Sequence, residues 1–329
     1  PAAARWTLTL DDGNEVRAQF LISAVGMFGR LNLPDIDGLD SFDGAVFHSA
    51  QWDHDHDLTA ERVAVIGSAA SAVQFMPEIA STVVQLNVLQ RTPNWILPKD
   101  DGPYTEEQKQ AFRDRPELML KSRDALFEVI ELGLDYTART TMEAITARAT
   151  EQLLQVDDPE IRALLTPDYP WGCKRPLLSN DYLPTFNRPN VELVVDPVER
   201  VTADGILTAD GTERPVDAIV LATGFATTDY VSAIDVIGAN GVALTDAWAG
   251  DPVAYLGVTT SGFPNMFMLY GPNTNGGNSI ILMLEHQVEY LLRLVDGLEA
   301  ASDEWIEVRR DVMDDFNTTL QGEIAGVDV

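Results

Sequence analysis

A segment of small residues, 67–72, stands where a strand would turn into a helix. The apolar run 62–67 predicts a buried strand, and 68–80 predicts the helix that follows. At such a turn, backbone N–H groups and the helix dipole point at an anion, which indicates a phosphate site. A dinucleotide-binding turn has glycine where this sequence has Ala69, so a plain buried turn is the alternative. The candidate phosphate-binding residues are Gly67, Ser68, Ala69, Ala70 and Ser71.

A basic residue follows the next predicted strand, 83–90. A site specific for NAD usually places an acidic residue about 20 positions beyond its glycines, where it binds the ribose hydroxyls. This sequence has Arg91 and Thr92 there instead. Because a guanidinium suits a 2′-phosphate, the segment favours NADPH over NADH, and a surface arginine is the alternative.

A longer pattern, F-x-G-x-x-x-H-x-x-x-W-[P/D], fits residues 42–53, just before the predicted dinucleotide-binding segment. Its fixed positions are Phe42, Gly44, His48, Trp52 and Asp53. The pattern resembles the fingerprint of the Baeyer–Villiger monooxygenases. Related flavin monooxygenases that oxidise amines and sulfides usually carry an aromatic–basic ending in place of Trp52-Asp53. The ending therefore favours the Baeyer–Villiger branch.

The resemblance covers nearly the whole chain and implies roles for further residues. His48 would lie in a linker and support movement of the cofactor. Lys174 would help to hold NADPH, and Arg175 would be the catalytic arginine beside the flavin, whereas without the resemblance a solvated turn is the simpler interpretation. An ordinary strand-to-helix loop is the alternative for the segment implied to lie near the flavin ring. The other implied cofactor-binding residues are Ala222, Thr223 and Gly224, in a second linker motif, and Asn273, Thr274 and Asn278, in that loop.

The activity implied by the resemblance is a monooxygenation that uses FAD and NADPH. One oxygen atom of O₂ is inserted next to the carbonyl of a small ketone, through a C4a-peroxyflavin, to give an ester or lactone. A flavin-dependent N- or S-oxygenase of the same fold is one alternative. An inactive nucleotide-binding fragment is the other, because the glycine fingerprint that binds FAD in the family is not found here. Compared with the family, the resemblance implies that the chain is truncated at its N-terminal and its C-terminal ends.

Two stretches of the sequence resemble each other and predict the fold class. Each of them, 6–26 and 205–224, reads as a hairpin with an Asp-Gly turn followed by a buried strand that ends in small residues. Between them, 62–90 reads as a βαβ unit, which implies a parallel sheet. We predict an α/β fold with two Rossmann-like, three-layer dinucleotide-binding lobes, of which the FAD lobe is incomplete.

A charged, nearly glycine-free stretch predicts a helical insertion, with a capping box at Thr105 and Gln108. Trp171, just beyond it, would shape a substrate pocket or simply pack against the helices. The predicted order is a remnant of the FAD-binding domain (1–41), a fingerprint linker (42–56), the first part of the NADP-binding domain (57–102), the insertion (103–170), the second part of the NADP-binding domain (171–226) and the C-terminal part of the FAD-binding domain (227–329).

The composition of the chain excludes some classes of binding partner. The 329 residues carry a net charge of −30, which argues against nucleic acid and anionic membranes. The single cysteine, Cys173, excludes an internal disulfide, and no apolar run is long enough for a bilayer, so a cytoplasmic location is expected. His54 and His56 read as part of a solvated acidic loop rather than as metal ligands. The oligomeric state stays open.

Overall fold

The computed structural model describes residues 4–99, 101–134, 138–231, 234–274 and 279–326. Contacts divide the chain into two compact units. The first unit combines the chain up to Arg30 with the chain from Phe225 onward, and the second unit is Leu31–Gly224. Residues 31–41, predicted as part of the FAD-binding remnant, group with the second unit.

The strands and helices of the described residues are numbered in chain order. The strands are β1 (Trp6–Thr9), β2 (Glu15–Ala18), β3 (Leu21–Ser23), β4 (Ala45–His48), β5 (Arg62–Ile66), β6 (Gln85–Leu89), β7 (Ile96–Leu97), β8 (Leu177–Leu178), β9 (Val191–Val194), β10 (Val198–Val201), β11 (Gly205–Thr208), β12 (Glu213–Pro215), β13 (Ala218–Leu221) and β14 (Met266–Met268). The helices are α1 (Ala70–Ile79), α2 (Glu106–Asp114), α3 (Pro116–Leu134), α4 (Arg139–Gln152), α5 (Pro159–Leu164), α6 (Tyr182–Thr185), α7 (Leu244–Trp248), α8 (Ile280–Ala301) and α9 (Arg310–Ala325).

The second unit is built on a parallel sheet with the strand order β4-β13-β5-β6-β9. The predicted βαβ unit is present as β5, α1 and β6, although α1 begins two residues later than the predicted helix. Val63, Val65 and Val220 are fully buried and pack with Met76 of α1 in the core. Continuous apolar strands of this kind are typical of a parallel sheet that is covered on both faces. This is the predicted α/β architecture.

Two further parts of the second unit surround this sheet. An antiparallel sheet with the order β10-β11-β12 contains the predicted second hairpin. The insertion is helical as predicted, and α2 begins with the predicted capping box. The Thr105 N–H donates to Gln108 Oε1 at 2.8 Å, and the Gln108 N–H donates to Thr105 Oγ1 at 3.2 Å. Trp171 is buried in a cluster with Trp95 and Ala149, so its side chain packs in the unit's interior.

The first unit contains the other copy of the repeated pattern. β1 and β2 form the predicted antiparallel hairpin, and β3 pairs in parallel with β14. The helix after β14 is α8, with the Ser279 side chain as its N-cap. The second long helix, α9, follows it. Each helix in the described part of the chain is too short or not apolar enough to cross a lipid bilayer.

Candidate functional site

One edge of the parallel sheet brings together candidate residues that are far apart in the sequence. His48, Leu221, Ile66 and Leu89 are lateral neighbours in the ladder, at the carboxyl ends of four adjacent parallel strands. The candidate segments 222–224, 67–71 and 91–92 follow these strand ends directly. Ligands of open α/β sheets bind outside the carboxyl ends of the strands. We call this side of the sheet the carboxyl edge.

The turn at Gly67 depends on glycine for two reasons. Its φ of 107° lies in a region that side-chain-bearing residues rarely adopt. An added Cβ would also lie 2.5 Å from the carbonyl oxygen of Ala222. The Gly67 N–H donates to the Leu89 carbonyl at 3.0 Å, so the turn is held between both neighbouring strands. The residue after β13, Ala222, therefore lies directly beside the candidate phosphate turn.

The first turn of α1 begins without a side-chain cap. Ala69 is the N-cap residue, with φ −90° and ψ −156°, and its side chain has no capping atom to offer. Any residue adopts this conformation, which explains why alanine fits where the dinucleotide pattern has glycine. The N–H groups at a helix start need acceptors, and a phosphate meets that need. The substitution of alanine for glycine therefore leaves the backbone of the helix start unchanged in kind and its first N–H groups without a side-chain cap.

The Arg91 segment lies against the same turn. The Asn94 side chain donates to the Ser68 carbonyl at 3.0 Å, and the Ser68 hydroxyl reaches the Thr92 carbonyl at 3.5 Å. Arg91 is exposed, and no described residue forms an ion pair or side-chain hydrogen bond with its guanidinium. The segment that carries Arg91 therefore packs against the candidate phosphate turn.

Tyr169 connects the Lys174 segment to this group. Its hydroxyl donates to the Pro93 carbonyl at 2.8 Å, and its own carbonyl accepts the Trp95 indole N–H at 3.1 Å. The Lys174 ammonium lies over the Tyr169 ring, 4.9 Å from the centroid. Burial raises the pKa of the Tyr169 hydroxyl. Lys174 is exposed at its position above the ring. The contact chain therefore joins 67–68, 92–95 and 174.

Arg175 is the neighbour of Lys174 in the same exposed turn, which begins after Gly172 with its φ of 98°. Within the described residues, no carboxylate pairs with the Arg175 guanidinium. The turn leads directly into β8, which pairs in parallel with β7. The charge of Arg175 is therefore available to an anionic group. The backbone of the turn is fixed by the short β7-β8 pair.

His48 is buried at the end of β4, with only 4% of its surface exposed. Its Nδ1 accepts the Ala50 N–H at 3.1 Å, and the Gly224 backbone forms a further hydrogen bond with the ring. Burial lowers the pKa of His48, and the Gly224 hydrogen bond opposes this effect. The lowered pKa and the fixed tautomer favour a neutral ring that ties β4 to the segment after β13.

The other fingerprint residues shape the backbone around His48. Gly44 approaches the Asp217 carbonyl so closely that a side chain would collide with it. Phe42 packs on one face of the sheet, and Trp52 contacts Phe75 of α1, with ring centroids 5.1 Å apart. Asp53 caps a turn through the Asp55 N–H at 3.0 Å. The segment predicted as a linker therefore includes a strand of the sheet.

Asn32 fixes the segment 223–224 and is not among the site residues predicted from the sequence. The Thr223 hydroxyl donates to the Asn32 carbonyl at 2.6 Å, and the Asn32 N–H donates to the Gly224 carbonyl at 2.9 Å. The partners are 191 positions apart, so no local pattern could reveal the contact. Tyr169 was not predicted either, because its contact with Pro93 also joins residues that are far apart in the sequence.

The remaining candidates lie in the first unit, after β14. The Thr274 hydroxyl donates to the Gly271 carbonyl at 2.6 Å, and the Asn273 amide donates to Asn317 of α9 at 3.4 Å. Asn273 has a φ of 61°, a left-handed conformation that asparagine tolerates better than most residues. Asn278 lies outside the described residues. The candidates thus form two groups, one in each unit.

His56 of the acidic loop forms a local contact. His56 Nε2 lies 2.9 Å from a Glu61 carboxylate oxygen. Across the described ranges, no group of three or more His, Cys, Asp or Glu side chains could hold a metal ion.

Comparison with known proteins identifies relatives of the chain. Residues 5–232 match the family model described as flavin-binding monooxygenase-like. A Baeyer–Villiger monooxygenase of Pseudomonas aeruginosa is 41% identical over 324 residues, which cover 97% of this chain and 61% of that protein. A Baeyer–Villiger monooxygenase of Streptomyces coelicolor is 41% identical over 291 residues, covering 87% and 56%. The chain thus spans somewhat over half the length of these relatives.

Solved structures agree with the sequence comparison. The crystal structure of the OTEMO complex with FAD and NADP matches with a TM-score of 0.85 and 31% identity, and the match covers 98% of this chain and 69% of that chain. Cyclohexanone monooxygenase from Rhodococcus sp. Phi1, bound to NADP⁺, matches with a TM-score of 0.84 and 30% identity, covering 99% and 68%.

Proposed function

The chain belongs to the flavin-binding monooxygenase-like family, and from this premise we propose that it serves in a Baeyer–Villiger oxidation that uses FAD and NADPH. The observation that carries the proposal is that the fingerprint strand β4 ends at the same carboxyl edge as the candidate phosphate turn at Gly67, with only β13 between them. Two relatives at 41% identity are named for this reaction. We propose a small ketone and O₂ as the reactants, and the cytoplasm as the location.

We propose that the second unit binds NADPH at the carboxyl edge. The N–H groups of the turn 67–71 would receive the pyrophosphate, because the start of α1 carries no side-chain cap. Arg91 would receive the 2′-phosphate, and Thr92 would line its site. Lys174 would contribute a second positive charge, oriented by its contact with Tyr169. In a chain with a net charge of −30, these cations would also reduce the repulsion that an anionic ligand meets at this edge.

We propose that the first unit contributes to the FAD site through the loop that contains Asn273, Thr274 and Asn278. When bound, FAD accepts a hydride from NADPH and activates O₂ for transfer to the ketone. The chain's own part is to orient polar atoms toward that group. The hydrogen bond of Asn273 to Asn317 and that of Thr274 to Gly271 support this role because they fix the loop.

Arg175 is the residue that we propose for electrostatic catalysis. Its guanidinium would supply positive charge to stabilise the oxyanion that forms when the ketone carbonyl is attacked. Removing one such preorganised donor typically costs about 3–4 kcal/mol of transition-state stabilisation. His48, by contrast, would act as a positioning residue, because it is buried and engaged on its Nδ1. Ala222, Thr223 and Gly224 would hold the same edge.

The NADPH site can be tested on the chain by calorimetry. Arg91→Ala should weaken the binding of NADP⁺ by about 10- to 100-fold, the range expected for a lost charge-assisted hydrogen bond. Binding of NAD⁺, which lacks the 2′-phosphate, should change less than twofold. Arg188→Ala removes another exposed arginine of the second unit and serves as the control. An equal loss for both nucleotides would remove Arg91 from the 2′-phosphate site.

The catalytic assignment can be tested with FAD and NADPH supplied together with an aryl ketone. Arg175→Ala should retain NADPH-dependent flavin reduction and lose ester formation at least about 100-fold, measured by product analysis. An ester yield equal to the wild type would refute the role of Arg175. A wild-type chain that oxidises a thioether or an amine but not the ketone would instead support an N- or S-oxygenase.

A further inference from the structure

A buried tyrosine close to the candidate phosphate turn has no part in the function proposed above. Tyr182 is the first residue of α6, and only 2% of its surface is exposed. It belongs to the core cluster that contains Ala72, Val73 and Met76 of α1. The helix α6 therefore packs against the helix whose first turn follows the candidate phosphate turn.

The position of Tyr182 is fixed by contacts with several neighbours. The Ser179 hydroxyl accepts the Tyr182 N–H at 3.1 Å, and the ring packs edge-on against Phe186, with ring centroids 5.2 Å apart. The Asn180 side chain accepts the Lys99 N–H at 2.9 Å and donates to the Lys99 carbonyl at 2.7 Å. A side chain held in this way loses little further conformational entropy when its hydroxyl forms a hydrogen bond.

The Tyr182 hydroxyl is a polar group left unpaired in the core. It is buried and has no hydrogen-bond partner among the described residues. Its polar neighbour is Ser68 of the candidate phosphate turn. Burial raises the pKa of the Tyr182 hydroxyl, and the Ser68 side chain opposes this effect. Nearly all buried polar groups in native proteins are paired, so the Tyr182 hydroxyl indicates an arrangement in which Ser68 becomes its acceptor.

The Ser68 hydroxyl is itself only weakly engaged. Ser68 is buried, and its hydroxyl lies 3.5 Å from the Thr92 carbonyl. Ordinary hydrogen bonds between a hydroxyl and an oxygen measure about 2.5–3.0 Å. Because a hydroxyl rotates freely, Ser68 can turn its proton from Thr92 toward an anion at the start of α1. The Ser68 oxygen can then accept a proton from Tyr182.

We propose that Tyr182 is a positioning residue of the nucleotide site, whose hydroxyl donates to Ser68 Oγ while the Ser68 hydroxyl donates to the pyrophosphate. This inference rests on the proposed NADPH site. Each hydrogen bond of such a chain polarises the next one, so the phosphate gains a stronger donor than an isolated serine. Tyr182 therefore contributes to nucleotide binding and not to the stability of the nucleotide-free chain.

The variant Tyr182→Phe separates these two contributions, because it removes only the hydroxyl. Calorimetry should show that NADP⁺ and NAD⁺ each bind about fivefold more weakly, which corresponds to one typical net hydrogen bond. The two losses should be equal, because both nucleotides contain the pyrophosphate. The urea midpoint of the nucleotide-free variant should stay the same or rise, because an unpaired buried group is removed. Tyr104→Phe, at an exposed tyrosine of the second unit, should change neither quantity.

A double variant tests whether the effect passes through Ser68. In a Ser68→Ala background, Tyr182→Phe should weaken NADP⁺ binding by less than about twofold, because the acceptor of its hydrogen bond is already gone. The full fivefold loss in that background would overturn the proposed chain of hydrogen bonds.

Two results with Tyr182→Phe alone would also overturn the inference. A lower urea midpoint would give the hydroxyl a structural role, and unchanged nucleotide affinities would remove Tyr182 from the site. In the second case the proposed NADPH site stands, because the wild-type chain still binds NADP⁺. A wild-type chain that binds neither nucleotide would instead overturn the NADPH site and this inference with it.

Discussion

The two copies of the hairpin-and-strand pattern fold alike locally but differ in what surrounds their last strand. Both hairpins turn on a glycine with nearly the same conformation, φ 81° at Gly13 and 82° at Gly211. In the second unit, β13 lies between β4 and β5. In the first unit, β3 pairs with β14, and no other strand among the described residues pairs with it. Similar sequences therefore occupy a sheet interior and a sheet edge.

The difference appears in the burial of matching positions. When the strands are aligned on their final glycines, Ile22 of β3 matches Val220 of β13. Ile22 is 48% exposed, whereas Val220 is 0% exposed. A strand's own sequence sets its pleat and alternation, but its neighbours decide how much stability each side chain contributes. The enclosure of β13 is what fixes the segments of the carboxyl edge.

The largest expected effect tests how closely β13 and its extension enclose the turn at Gly67. Gly67→Ala should lower the free energy of unfolding of the second unit by about 3 kcal/mol or more, because it combines a strained φ with a collision with the Ala222 carbonyl. Gly26→Ala, three residues beyond β3, is also at a positive φ, 68° against 107° at Gly67, but an added Cβ there has no atom within 4 Å. It should cost about 1–2 kcal/mol. Urea denaturation of each variant measures the difference.

Equal losses in the two glycine variants would show that backbone conformation alone determines the cost. The close approach of the Ala222 carbonyl to the turn would then contribute nothing, and the comparison between the two strands would lose its structural basis. Gly67→Ala should also weaken NADP⁺ binding more than Gly26→Ala does, because Gly26 lies outside the second unit.

The next effect compares the two matching side chains directly. Val220→Ala should lower the free energy of unfolding by about 2–3 kcal/mol, because it leaves a cavity in a fully buried core. Ile22→Ala removes more atoms but should cost under about 1 kcal/mol, because half of the side chain is already in solvent. A larger loss for Ile22→Ala would mean that β3 is enclosed in solution.

Local features of the fold and the site could be predicted from the sequence, whereas features that depend on distant partners could not. The local elements were predictable, since Asp-Gly turns, apolar runs and the capping box at Thr105 act over a few residues. The family fingerprint indicated the position of β4, and the apolar run 62–67 indicated the candidate phosphate turn. Contacts that complete the candidate site were not predictable, because Asn32 meets Thr223 across 191 positions and Tyr169 meets Pro93 across 76. The difference in burial between Ile22 and Val220 depends on such distant partners as well.

The smallest expected effect concerns pH and belongs to the sheet of β13, because β4 places the buried His48 beside it. The pKa of His48 is lowered in the folded chain by burial, so the unfolded chain binds the proton first as the pH falls. The stability contributed by the neutral ring is thus fully present above the ordinary histidine pKa of about 6.5 and is lost as the pH falls from there toward the folded pKa. We expect a slope of at most about 1.4 kcal/mol per pH unit in this window. His48→Gln should flatten that slope between pH 7.5 and 5. Hydrogen exchange of the β13 amides in urea measures the free energy of unfolding at each pH. The β3 amides should show the same dependence on pH in both proteins. An unchanged slope in His48→Gln would mean that another group titrates, and that the ring of His48 is not desolvated at the end of β4.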